Sequence, residues 1–314
     1  MATKRYLMTP GPTPVPPQVL AALAEPIIHH RAPEFRPVYE QCLEQLRTVA
    51  RTESDVLLFG SSGTGAFESA VANLVTPGER HLVVSAGNFG ERWAQMTAAY
   101  GADVDHLRYA WGIDVVVSGS QKALMCPPGL AFNSVSAEAL DQAARATSPR
   151  YVFDWERTRK AQAKLDAPFT PAVSLVKALD VALGMLLEEG LEAAFERHAR
   201  LGRACREGIK AMGLELFSPD DDRSAVVTAV RAPSGIDAGD VVASLRDRFG
   251  ITIAGGQGEL KGKIFRIGHI GWFDVFDITT ALAAVELALA EAGVEIERGL
   301  AVTRALEAFE HAPV

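Results

Sequence analysis

The chain has 314 residues, 48% of them hydrophobic, and a formal charge of −8 from 31 Lys plus Arg against 39 Asp plus Glu. That length and apolar content suffice for a large core and a smaller domain beside it, and the interspersed acidic balance excludes an electrostatic case for nucleic-acid or membrane partners. Three cysteines, Cys42, Cys126 and Cys205, have neither paired nor metal-like spacing, which argues against a disulfide framework or a zinc site and for a reducing cytoplasm.

Pro10, Pro12, Pro14, Pro16 and Pro17 predict an extended N-terminal arm that is not helical, with no apolar signal core before it. Val38, Cys42, Leu43, Leu46 and Val49 fall at helical spacing and predict a surface helix. "DVLLF" (55–59) reads as a short buried strand, "GSSGTG" (60–65) as a tight loop and "AFESAVANLV" (66–75) as a helix. "HLVVSAG" reads as strand and "GERWAQMTAAYGA" as helix with a glycine stop at Gly101. Strand and helix alternating in this way predict an α/β fold with a mainly parallel sheet. "IDVVV" (113–117) is nearly continuous and apolar, as a fully buried parallel strand would be. "SAEALDQAARA" is helical, the stretch from Ser148 to Pro171 is polar and aromatic, and "AVSLVKALDVALGMLLEEG" is a long apolar helix. "LEAAFERHARLGRACREGIKAMG" is helical again. The strands "AVVTAVRAP", "ITIAGG" and "KIFRIGHIG", with the helices "GDVVASLRDRFG" and "ITTALAAVELALAEAG", make a small α+β unit. The expected division is 1–190 and 191–314. The last helix, "GLAVTRALEAFEHA", reads as a packing element or a fraying tail.

Three places could carry chemistry. In "LLFGSSGTGAFE" a strand delivers Ser62, Gly63 and Thr64 to a helix start, where free amides and the helix dipole favour an anion. The spacing is neither that of a P-loop nor of a dinucleotide fingerprint, and a plain glycine-rich turn is an equal reading. Lys122 follows the 113–117 strand at its carboxyl end, where open α/β sheets bind ligands, and Pro127, Pro128 and Gly129 then bend the chain. A desolvated lysine amine can form a Schiff base with a carbonyl, whereas an ordinary lysine is a solvated charge. With an anion loop upstream, Lys122 points to a pyridoxal phosphate enzyme. Arg266 sits inside the apolar strand "KIFRIGHIG", where a carboxylate clamp or a salt bridge would each account for it. Phe89 could stack on a flat ring or merely pack. His106 and His269 carry no partner pattern.

In sum the chain resembles the class V aminotransferases, most closely the alanine–glyoxylate and serine–pyruvate group. The resemblance rests on "TPGPTPVP", "IIHHRAPEF", "SSGTGAFESAVANL", "SAGNFGERW", "GIDVVVSGSQKALMCPPGL", "FTPAVSLV" and "KIFRIGHIG", in the family's order over nearly the whole chain. It implies a fold type I pyridoxal-phosphate homodimer transaminating small substrates, with alanine or serine as donor and glyoxylate or pyruvate as acceptor. It assigns Lys122 as the lysine that holds the cofactor and moves the substrate proton. Ser62, Gly63 and Thr64 become the phosphate loop, Gln121 a cofactor contact, Phe89 the ring-stacking aromatic and Thr170 a residue reaching the neighbouring subunit's phosphate. Arg266 becomes the binder of the substrate carboxylate.

One departure stands out. Relatives carry a long segment between the strands matching "GADVDHL" and "GIDVVVSG", including an aspartate that pairs with the pyridine nitrogen. Only "RYAW" stands there in this chain, and a strand–helix–strand unit needs about 30 residues or more. Asp114 is no substitute, because it leads into the lysine strand. The expectation is therefore an aminotransferase impaired by an internal loss near 108–113, with an inactive dimerising or scaffold homologue as the alternative. A cysteine desulfurase of the same fold would need a mobile cysteine.

Overall fold

A computed structural model describes residues 4–85, 88–107, 114–218 and 224–311. In chain order the first elements are β1 (Tyr6–Leu7), α1 (Pro17–Ala24), α2 (Phe35–Ala50), β2 (Asp55–Phe59), α3 (Gly63–Leu74), β3 (Arg80–Val84), α4 (Asn88–Ala99), β4 (Asp103–Leu107), β5 (Val115–Gly119) and β6 (Ala131–Val135). They continue with α5 (Ala137–Arg145), α6 (Trp155–Gln162), α7 (Val173–Glu189), α8 (Leu191–Ala211), β7 (Val227–Arg231), α9 (Ala238–Phe249), β8 (Ile251–Thr252), β9 (Ala254–Gly255), β10 (Ile264–Gly268), α10 (Val275–Glu291) and α11 (Leu300–Glu310). Internal packing separates two compact units. One comprises Met1–Pro16, Gln121–Met125 and Glu189–Val314, and the other Pro17–Ser120 and Cys126–Glu188. Among the described residues no helix is long and apolar enough to cross a membrane.

In the second of these units, β2 and β5 both pair antiparallel with β6 between them, Leu57 and Val117 each opposite Asn133. β2 and β5 therefore run parallel to each other. β3 and β4 form a separate parallel pair, with Leu82 opposite Asp105. Among the described residues no ladder joins the two sheets. The 113–117 strand is thus corrected in three respects: it begins at Val115, pairs antiparallel, and is not fully buried. Val115 and Val117 pack against the core of Leu57, Phe59, Ala70 and Trp155, while Val116 on the opposite face is 48% exposed.

Local differences have local causes. α1 opens on Pro17, which the arm was expected to include; proline suits a first helical position, where its missing N–H has no partner to lose. α3 begins at Gly63 instead of Ala66, because Ser62 takes the extended N-cap conformation. α4 begins at Asn88, so Phe89 lies in its first turn and not in a strand-end loop. The polar stretch from Ser148 hides α6, whose Asp154 caps Arg157 N and whose Trp155 is fully buried, its Nε1 donating to Ser69 Oγ at 2.7 Å.

Beneath α7, Asp180 accepts a hydrogen bond from Gln45 Nε2 at 3.0 Å, while Gln45 Oε1 is buried without a partner. Burial raises the Asp180 carboxyl to about 6. A carboxyl raised by folding gives full stability while protonated and loses it as pH rises through the folded value. Asp180→Asn removes that loss and can donate to Gln45 Oε1. It is expected to stabilise the chain by about 1 kcal/mol at pH 8, after discounting for partial solvent screening, and by almost nothing below pH ~4. Urea melts at both pH values measure the difference.

The other unit carries an antiparallel sheet in the order β7-β10-β9, and a parallel pairing of β1 with β8 that fastens the N-terminal arm. α8, α10 and α11 pack around a core that includes Leu201, Ile209, Phe265, Leu282 and Leu289. The last helix is a packed element: Ala301 and Ala305 are fully buried, and the buried Glu286 carboxylate accepts from Gly299 N at 2.7 Å and Ala301 N at 2.8 Å. That carboxylate caps a helix start whose amides have no helical acceptor. Glu286→Ala should cost roughly 2–3 kcal/mol in a denaturant melt.

Candidate active site

Lys122 lies in the tight turn after β5, on the segment Gln121–Met125 that packs with the N-terminal arm and the C-terminal residues. Its carbonyl accepts from Met125 N at 3.0 Å and from Thr13 Oγ1 at 3.0 Å, and Gln121 O accepts from Thr13 N at 3.2 Å. The lysine stem runs along Gly11, where a Cβ would come within 3.1 Å of Lys122 Cγ and 3.2 Å of Cε; Gly11 also has φ +146°, closed to other residues. Lys122 as a whole residue is exposed. Beside it Gln121 Oε1 is buried with no hydrogen-bond partner, an orphan of the kind a bound cofactor satisfies.

Arg266, in the same unit, donates from Nε at 3.0 Å and Nη2 at 2.7 Å to Gly255 O on the neighbouring β9. Two of its three nitrogens thus fix the plane of the guanidinium against the sheet edge. Of the two histidines without a pattern, His269 is a core residue paired with Thr228 Oγ1 at 3.0 Å, and the His106 side chain lies outside the described residues.

In the other unit, Ser62 is the N-cap and Gly63 and Thr64 the first turn of α3. Ser62 makes no side-chain capping bond, which leaves the first-turn amides without that acceptor, and a Cβ on Gly63 would meet nothing within 4 Å. That is an open helix N-terminus suited to an anion. Sequence reasoning missed Arg92, which donates from Nη1 to Thr64 Oγ1 at 3.2 Å and lies 5.4 Å from the Phe89 ring centroid. Its signal is spacing: Arg92 follows Phe89 by three residues on α4, so both share one face. Phe89 is 55% exposed and parallel to Phe67, with centroids 6.4 Å apart. Thr170 is exposed and lines, with Gly60, Tyr39 and Phe169, a cavity of about 110 Å³. Asp114 serves as structure: it accepts from Ser136 Oγ at 2.8 Å at the start of α5.

The cysteines are free and buried. Burial raises Cys126 to about 12 and Cys205 to about 11, and raises Cys42 as well, so none offers a thiolate nucleophile near neutral pH. That is the physical case against the desulfurase reading.

Comparison with known proteins decides the family. Residues 108–260 match the family described as aminotransferase class-V. An aminotransferase of Methanocaldococcus jannaschii is 35% identical over 96% of this chain and 97% of its own length. The chain belongs to the class V aminotransferases. Pyridoxal phosphate is the cofactor of this fold type I family. The structure of ureidoglycine–glyoxylate aminotransferase from Bacillus subtilis superposes with a TM-score of 0.93 at 27% identity, covering 99% of both chains. The soluble hydrogenase 42 kDa subunit of Anabaena cylindrica is 36% identical over 99% of this chain and 100% of its own. That alignment spans 384 positions, 70 more than the 314 residues present here.

The residues described fit pyridoxal phosphate on two counts, the orphaned Gln121 Oε1 beside Lys122 and the open α3 N-terminus with Thr64 and Arg92.

Proposed function

We propose that this chain transaminates between a small amino acid, alanine or serine, and a small 2-oxo acid, glyoxylate or pyruvate. The observation that carries the reading is Lys122, held by its carbonyl in a four-residue turn and laid along a glycine that tolerates no side chain. Pyridoxal phosphate, when bound, supplies the electron sink for breaking the substrate Cα–H bond. In this reading Lys122 holds the cofactor covalently and moves the proton at the substrate Cα. Ser62, Gly63 and Thr64, with Arg92, neutralise the phosphate, Gln121 and Phe89 orient the ring, and Arg266 binds the substrate carboxylate. Thr170 reaches the phosphate of a partner in a homodimer. The free cysteines support a cytoplasmic site of action. The glyoxylate named for the Bacillus relative supports the acceptor class.

We propose further that activity is impaired by loss of a segment between Arg108 and Ile113. The 70-position excess in the alignment and the two unjoined sheets support this. A second reading, a subunit without catalysis, draws on the hydrogenase-subunit name of the Anabaena relative. Purified chain mixed with pyridoxal phosphate should develop a Schiff-base absorbance band that borohydride fixes onto Lys122, and should convert alanine and glyoxylate slowly. No band with excess cofactor would sink the aminotransferase reading. A band with zero turnover on alanine or serine favours the second.

A further inference from the structure

Lys122 is braced by the N-terminal arm through Thr13, and Gly271 lies next to both. A Cβ on Gly271 would lie 3.0 Å from Lys122 O and 3.1 Å from Thr13 Oγ1, and its φ is +88°. This glycine backbone therefore lies beside the groups that fix the lysine turn, too close for any side chain to stand between. Both of its peptide units are gripped from α8 by consecutive residues. Arg197 Nη1 donates to Gly271 O at 2.8 Å, and Gly271 N donates to His198 Nε2 at 2.9 Å. Neither grip is loose. Arg197 is locked by a two-pronged pair with Glu189, Nε to Oε1 at 2.6 Å and Nη2 to Oε2 at 2.8 Å. His198 is buried, and its Nδ1 meets Ala194 O at 2.5 Å.

The hydrogen-bond pattern fixes the state of the ring. Nε2 accepts from an amide, so it carries no proton; Nδ1 faces a carbonyl, so it carries one. Only the neutral imidazole can hold the Gly271 amide. A second proton would set an N–H against an N–H in a buried place.

We propose that His198 is a positioning residue for Lys122: in its neutral form it holds the Gly271 amide, and through Gly271 and Thr13 it sets the carbonyl of the lysine turn. This rests on the reading of Lys122 as the cofactor lysine. The charged and titratable groups around His198 are Arg197 and Glu189 on its own side, and His269 and Arg206 beyond. Burial lowers His198 below the ordinary histidine value, with Arg197 acting in the same direction and the Ala194 bond and Glu189 opposing it. Burial and the Arg206 charge lower His269 to about 3, so it stays neutral through the range in which His198 titrates and adds no competing charge. The clamp is intact at neutral pH and opens on acidification.

Three proteins test this: the natural chain, His198→Gln and His198→Leu. Glutamine offers an oxygen acceptor near the Nε2 position and does not titrate; leucine offers none. Hydrogen exchange at the Gly271 amide, followed without cofactor, should quicken about tenfold in His198→Leu, as for loss of one buried hydrogen bond. It should stay slow in His198→Gln. With pyridoxal phosphate added, borohydride fixation at Lys122 should show an acid limb below the usual histidine range in the natural chain. His198→Gln should lack that limb, and His198→Leu should be low at every pH while retaining its circular dichroism spectrum. An unchanged Gly271 exchange rate in His198→Leu overturns the clamp. So does an acid limb that persists unaltered in His198→Gln. If no protein forms the Schiff base, the reading of Lys122 fails, and the exchange data alone still decide whether the clamp exists.

Discussion

Lys122→Ala is expected to abolish the borohydride-fixed adduct and to lower transamination by at least ~10³-fold. The size follows from what the side chain is asked to do. In the proposed function it forms the covalent link to the cofactor and carries a proton, and positioned proton transfer alone contributes typically 10²–10⁴-fold. The fold should survive, because Lys122 is exposed and the turn is held through its backbone carbonyl, which accepts from Met125 N and Thr13 Oγ1. Thermal melts of the two proteins should therefore agree within a degree or two. A Lys122→Ala chain that still traps cofactor with borohydride would place the reactive amine elsewhere and defeat the assignment. Lys122→Arg separates charge from nucleophilicity. It keeps the cation but cannot form the bond, and should be as inactive as the alanine variant.

Much of this was legible in the sequence for a simple reason. The order of elements follows from local periods and stops, and the lysine turn is written in contiguous residues, strand, Ser118 to Lys122, then two prolines and a glycine. What escaped depends on distance or on neighbours. β6 reads poorly because Asn133 and Ser134 interrupt it, yet both are buried inside the sheet. α6 is a polar octapeptide whose one apolar anchor is Trp155. The grip of His198 on Gly271 joins residues 73 positions apart. The burial of β5 was misjudged because an apolar strand reports what it is suited to, not whether its covering elements are present. Arg92 was passed over because its role needs α4 to begin at Asn88, before the glycine that suggested a helix start.

On the proposal that a segment is missing between Arg108 and Ile113, supplying one is the change with the largest expected gain. A chimera carrying the corresponding stretch of the Anabaena relative between Arg108 and Ile113 should join what are now two sheets. Among the described residues β5 and β3 each have one unpaired edge, Val116 is 48% and Leu82 54% exposed, and an apolar groove of about 270 Å³ between α3, β3 and α4 includes Leu74, Leu82 and Trp93. Unpaired apolar edges invite association with other chains. The natural chain should therefore aggregate on warming at micromolar concentration, and the chimera should not. Chemistry gains for a separate reason. A buried carboxylate beside the pyridine nitrogen keeps that nitrogen protonated, and such a preorganised charge is worth on the order of 10²–10³-fold in rate. The chimera should thus turn over alanine and glyoxylate ~10²-fold faster or more, with β3 and β5 amides newly protected from exchange. Changing the acidic residues of the inserted segment to alanine one at a time tells the two contributions apart: the amide protection should remain while the rate falls back at the position that serves the ring nitrogen. A chimera with a closed, protected sheet but no gain in rate would show that the missing residues are structural and that impairment of the chemistry lies elsewhere.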